Sequence, residues 1–270
     1  GIYGAVSLTQ DYGRGSVETR YTLGMGHPNA LHCMVWALTT LLLYLYGEKM
    51  KIYHYVVVFL INVGFFWLTD SRTSLLVTAF ILVLCYLLIN KKFEKISQLS
   101  AAAGILFTSM SVLGSVVIAG NAYRVYYYVW CGDRSPVTMF FTKLNDALNG
   151  RIRILVESDT FEGTIQTWSL FSRPENDRFF DLGWVRLFYW YGIIPACVFV
   201  VVMLLVMLYC YSKRHYMSIM LITSFAIYSV IEAHGISVYL ARNYVFFLIG
   251  AYWSLLLQEK CLKKKNGDIE

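Results

Sequence analysis

The sequence predicts an all-α, polytopic membrane protein, and three observations carry that prediction. Apolar residues make up 57% of the 270-residue chain and charged residues only 15%, too few to coat a water-soluble surface of this size. Mean hydropathy is positive, at +0.53. Apolar runs of near-spanning length recur along the chain, separated by short polar connections. Lipid around the protein accounts for all three, because helices satisfy their own backbone in hydrocarbon and need no charged coat.

The spans follow from runs of about 20 mostly apolar residues. Seven segments qualify, at 30–46, 53–68, 73–89, 99–119, 187–211, 217–231 and 236–257; the second, third and sixth are short. Together they predict one membrane domain over 1–270. Basic connections follow alternate segments: GEKMK after the first, KKFEK after the third, SKRH after the fifth and QEKCLKKK after the seventh. Lysine and arginine in short loops mark the cytoplasmic side. Seven spans put all four on one side, whereas a count of five or six does not. The sequence therefore predicts an extracytoplasmic start, a cytoplasmic C-terminus and a large extracytoplasmic loop over 121–182, in the multi-pass topology of a cytoplasmic-membrane protein. The opening GIYGAVSLTQDYGRGSVETR has no basic segment followed by an apolar core. It reads as the end of a polar loop, so the chain is expected to be a fragment that lacks earlier helices.

The long loop carries structure of its own. In SPVTMFFTKLNDALNG, Ser135 suits a helix cap, Pro136 the first turn, and Gly150 the stop. Asp159 with Glu162 three residues later is a second capping signal. Aromatic residues at 126–130 and 188–191 fit an interfacial belt. The six cysteines are spaced as neither a disulfide framework nor a metal site, and no metal, cofactor or nucleic-acid partner is expected.

Polar residues at the outer ends of the spans are the candidates for chemistry. LTDSRTSLL places Asp70, Ser71 and Arg72 in a turn between the second and third spans, where Asp70 or Ser71 suits a cap. Arg72 either snorkels to the interface or faces an outer cavity and binds an anion. GMGHPNAL sets His27 at the start of the first span, with Arg20 just before it. LNGRIRI places Arg151 after a helix stop, and DLGWVRLFYWYGIIP puts Asp181 at a helix entry as a cap, with Arg186 beside it. EAHGISVYLARN surrounds an apolar stretch with Glu232, His234 and Arg242. The first, third, fifth and seventh spans all begin on the outer side in this topology. Their N-termini carry partial positive charge and free N–H groups that suit phosphate. A charge deep in a membrane domain is a functional candidate. If these ends converge, they form a basic pocket on the outer face.

The order of these motifs resembles a family. A GMGHPN helix start, an SRT turn, a long outer loop with LNGR, a DLG entry running into YGII, and a charged turn before the last span resemble the Wzy-type O-antigen and capsular polysaccharide polymerases, within the O-antigen ligase and polymerase superfamily. The resemblance covers roughly residues 20–255. It implies a GT-C-like membrane glycosyltransferase that joins polyprenyl-diphosphate-linked oligosaccharide repeats into a capsule, exopolysaccharide or O-antigen on the outer side. Membrane lipid is a further partner, and a flippase and a chain-length regulator are the implied protein partners. Diphosphate departure needs charge stabilisation, which arginines and helix N-termini supply without a metal. On this reading Arg72 and Arg151 bind diphosphate or glycan, and His234 or Glu232 activates the acceptor hydroxyl. Arg20, His27, Asp181 and Arg242 bind substrate. A ligase of the same superfamily would use the same donor with a different acceptor. A lipid or glycan transporter would typically show repeats and midplane charges, whereas this sequence has no internal repeat and gathers its charges on one side.

Overall fold

The computed structural model describes residues 9–14, 16–21, 28–89, 94–157, 161–233 and 244–267. Within them the protein is helical apart from one antiparallel hairpin, β1 (Thr9–Arg14) and β2 (Ser16–Tyr21). The helices are α1 (Pro28–Tyr46), α2 (Ile52–Thr69), α3 (Arg72–Ile89), α4 (Glu94–Asn121), α5 (Tyr123–Trp130), α6 (Pro136–Ala147), α7 (Arg151–Ile154), α8 (Gly183–Tyr191), α9 (Ile193–Ser212), α10 (Tyr216–Tyr228) and α11 (Tyr244–Gly267).

Among the described residues, five helical stretches are long and apolar enough to cross a membrane: Ala30–Lys49, Ile52–Thr69, Arg72–Ile89, Glu94–Trp130 and Ile193–Ser212. Their outward faces are apolar, as lipid-facing surfaces are, with Leu76 at 70% and Leu99 at 72% exposure. Two further apolar helices, Tyr216–Tyr228 and Val245–Glu259, are shorter than a full span. The chain is thus a helical protein with several membrane-capable helices.

The fifth expected span, 187–211, departs from a single helix. It is two helices, α8 and α9, broken at Gly192 with φ +90°. A side chain there would bring Cβ within 2.5 Å of Phe171 Cα, so the loop at 169–171 packs against a position that only glycine can fill. That loop also completes α9: the N–H groups of Ile193 and Ile194 donate to the carbonyls of Ser169 and Leu170, at 2.8 and 3.1 Å. The sixth expected span, 217–231, ends early, at Tyr228. The start of the seventh, 236–243, lies outside the described residues.

The chain divides into two compact units. The first comprises Gly1–Ala102 with His215–Ser224. Its core packs α1 against α2 and α3 around Trp36, Leu43, Ile81 and Cys85. Neutral polar contacts join the helices: Trp36 Nε1 donates to Ser224 Oγ at 2.9 Å, Asn62 Nδ2 donates to Thr39 Oγ1 at 3.1 Å, and His32 Nδ1 lies 3.1 Å from Thr69 Oγ1.

The second unit comprises Ala103–Arg214 with Phe225–Glu270. Ile118, Val125, Phe141, Leu155, Phe180 and Tyr189 share one of its apolar clusters, which draws the long loop over 121–182 into packed structure. Helix α6 starts as the capping signal predicts, with Pro136 in the first turn and Ser135 Oγ accepting from the Thr138 N–H at 3.4 Å. Asp159 lies outside the described residues, and the segment after it forms only a single 3-10 turn, Ile165–Thr167.

Candidate functional site

The candidate site lies within the second unit and is built around Arg151. After α6, Asn149 and Gly150 both take positive φ, at 55° and 81°, which turns the chain sharply into α7. Asn145 locks the turn: its carbonyl accepts from Gly150 N–H and its Oδ1 from Arg153 N–H, both at 2.8 Å. Arg151, first residue of α7, is thereby fixed with its side chain only 9% exposed.

A second set of contacts brings two carboxylates to it. The start of α8 docks on the end of α10: Trp184 N–H donates to Ser229 O at 3.1 Å, and its indole Nε1 donates to Ala226 O at 2.9 Å. Gly183 permits the approach, since a Cβ there would fall 2.7 Å from the carbonyls of Ser229 and Glu232. Asp181 and Glu232 consequently flank the same guanidinium. Arg151 Nη2 donates to Glu232 Oε1 at 2.7 Å, a short charge-assisted bond. Its Nε lies 3.5 Å from Asp181 Oδ2, an ion pair rather than a hydrogen bond, and its Nη1 donates to Leu148 O at 3.3 Å. One cation thus faces two carboxylates, of which Glu232 is 19% and Asp181 35% exposed.

Arg186 stands beside this group. Its guanidinium carbon sits 3.8 Å from the Phe179 ring centroid and 3.6 Å from that of Trp190, so the cation is clasped between two aromatic faces. It is 4% exposed, and its Nε and Nη1 have no hydrogen-bond partner. Burial lowers its pKa to about 10 against the opposing pull of the Asp181 charge, so it remains a cation at neutral pH. Arg178 ties the flanking loop down, donating from Nη2 to Ile154 O at 3.1 Å and accepting Trp190 Nε1–H on its own carbonyl at 3.1 Å.

Of the candidates read from the sequence, Arg151, Asp181 and Glu232 meet here. Asp181 does not cap α8: Leu182 holds the cap position, and the Asp181 carboxylate turns to Arg151. Arg72 belongs to the first unit, is 78% exposed and pairs with Asp70 of its own turn at 3.6 Å. Asp70 ends α2 in a left-handed conformation, and Ser71 precedes α3 with its hydroxyl 3.0 Å from that of Ser74. Arg20 lies in β2 opposite Gln10, with its side chain outside the described set, and His27, His234 and Arg242 also lie outside the described residues. The aromatic clasp on Arg186 went unread in the sequence, although the i, i+4 spacing of Arg186 and Trp190 in DLGWVRLFYWYG is a usable signal. Compared with family models, curated proteins and solved structures, the chain finds no match.

Proposed function

We propose that this protein is a multi-pass membrane glycosyltransferase that polymerises polyprenyl-diphosphate-linked oligosaccharide repeats on the outer face of the cytoplasmic membrane. The motif order that resembles Wzy-type polymerases supports this reading. So do the alternating basic loops, which favour seven spans with the loop over 121–182 outside and the C-terminus inside.

The observation that carries the reading is Arg151, a shielded guanidinium held against two carboxylates. The reaction needs both functions at one place. The acceptor hydroxyl oxygen bonds to the anomeric carbon as the bond from that carbon to the diphosphate oxygen breaks, and the electron pair leaves on the diphosphate. Arg151 exchanges a carboxylate for that diphosphate and neutralises its developing charge. Glu232, released from the pair, accepts the hydroxyl proton, and His234 is the alternative base that the motif order implies. Asp181 binds the remainder of the lipid-linked substrate beside Arg151 in this scheme, and no metal or cofactor takes part.

The test is reconstitution with purified lipid-linked repeats. The wild-type protein should yield a polymer ladder, and Arg151→Ala should yield none while still accumulating in the membrane. A normal ladder from Arg151→Ala would overturn the assignment. A ligase would instead transfer the glycan to a different acceptor added to the same assay.

A further inference from the structure

A groove of about 400 Å³ opens between the end of α1 and the start of α2 in the first unit, and no residue assigned to the polymerase reading lines it. Its walls change character along their length. Leu42 and Val57 line one part, and both are exposed at 40% and 52%, so the groove is open sideways on faces that belong to membrane-capable helices. Tyr46 and Tyr53 follow, residues that favour the level of lipid headgroups. Lys49 and His54 line the other part.

The polar part is set for an anion. The Lys51 N–H donates to His54 Nδ1 at 2.9 Å, which leaves Nε2 as the N–H of the ring. Tyr53 packs on that ring with centroids 4.0 Å apart and restrains it further. Lys49 is exposed, and Lys51 adds a second ammonium two residues on. Glu48 is the acidic group in the same short segment, so the two lysines leave it net positive. A single negative charge with hydrocarbon attached complements such a groove, because the charge meets the basic part and the chain continues along the apolar part.

We propose that the groove between α1 and α2 binds one anionic phospholipid, with its phosphate on Lys49 and His54 Nε2 and an acyl chain along Leu42 and Val57. The assignment does not depend on the glycosyltransferase reading. It distinguishes a selected lipid from the annular lipid that coats any exposed apolar helix.

The test uses the whole chain in phosphatidylcholine nanodiscs doped with a phosphatidylglycerol that carries a photoreactive group near its headgroup. Labelling should concentrate on the peptide covering 42–58. Unlabelled phosphatidylglycerol should compete, and added phosphatidylcholine should not. Lys49→Gln removes one surface-level cation and should lower labelling about fivefold. His54→Phe keeps the stacking ring, removes the donor and should also lower labelling. The proposal is overturned if label spreads evenly over the exposed helices, if phosphatidylcholine competes equally, if Lys49→Gln labels like the wild type, or if a polyprenyl phosphate competes where phosphatidylglycerol does not.

Discussion

Both units bury small polar groups, but among the described residues only the second also buries guanidinium groups. The first hides hydroxyls, an amide, an indole and an imidazole, and many of these bond within their own helix. Thr40 Oγ1 donates to Trp36 O and Thr69 Oγ1 to Phe65 O, each at 2.8 Å. A group satisfied by its own helix costs little to bury and adds modest cohesion between helices. The second unit buries guanidinium groups, which cannot be satisfied that way. Arg151 needs two carboxylates, and Arg186 is left with two nitrogens unmatched between aromatic rings. A charge kept out of water at that cost is the feature of the second unit on which the proposed chemistry rests.

The contrast is broken most directly at Arg151. Arg151→Ala removes the cation that Asp181 and Glu232 share and should cost about 3–5 kcal/mol of stability, the penalty for breaking a shielded ion pair from one side. Arg151→Met with Glu232→Met removes both charges and should recover most of that loss, since an apolar pair of similar size often replaces an ion pair without penalty. Thermal unfolding of the single and double variants measures the coupling. If the double variant is stable and polymerises repeats normally, the pair is structural and the distinction between the units disappears.

Arg186 should respond less. Arg186→Met removes contacts with two rings, worth up to about 2 kcal/mol when desolvated, but also removes two unmatched donors. The expected net is a loss of about 1 kcal/mol, read as a small fall in melting temperature, while Arg186→Lys should fall further because an ammonium cannot lie flat between Phe179 and Trp190. Equal melting of the lysine and wild-type proteins would show that the clasp contributes nothing.

These residues also mark how far the sequence could be read. The apolar segments were legible because a span of hydrocarbon imposes length and composition on consecutive residues. The cap of α6 was legible because Ser135, Pro136 and Thr138 act within one turn. The break at Gly192 was not, because its cause is Phe171, some twenty residues earlier in the chain. Asp181 read as a cap for the same reason: a local signal was present, and the partner that overrode it, Arg151, is thirty positions away. Arg151, Asp181 and Glu232 could each be named from motifs, but their meeting depends on α8 docking against the end of α10 through Trp184 and Gly183, a tertiary contact with no local signature.

In the first unit, Asn62→Leu tests the other side of the comparison. It deletes the bond to Thr39 and also removes Oδ1, which has no partner. Interhelical hydrogen bonds in membranes average about 0.6 kcal/mol, so the melting temperature should barely move and polymer formation should persist. Loss of activity with an unchanged melting temperature would assign chemistry to the first unit as well.

The smallest expected effect concerns pH at the entry to α6, outside the membrane-capable helices. Asp133 accepts from Ser135 N–H at 2.9 Å and from the Thr138 hydroxyl at 2.7 Å, and these bonds, the backbone one foremost, hold its carboxyl below the usual value of 3.8. A carboxylate whose folded-state pKa is depressed supports the fold in full above its unfolded value and loses that support as pH falls through the folded value. The cap of α6 should therefore hold at neutral pH and loosen only below pH 3.8. Asp133→Asn should remove this acid dependence. Amide exchange across Pro136–Ala147, corrected for intrinsic rates, measures it: protection in the wild type should fall on acidification below that point and stay flat in the variant.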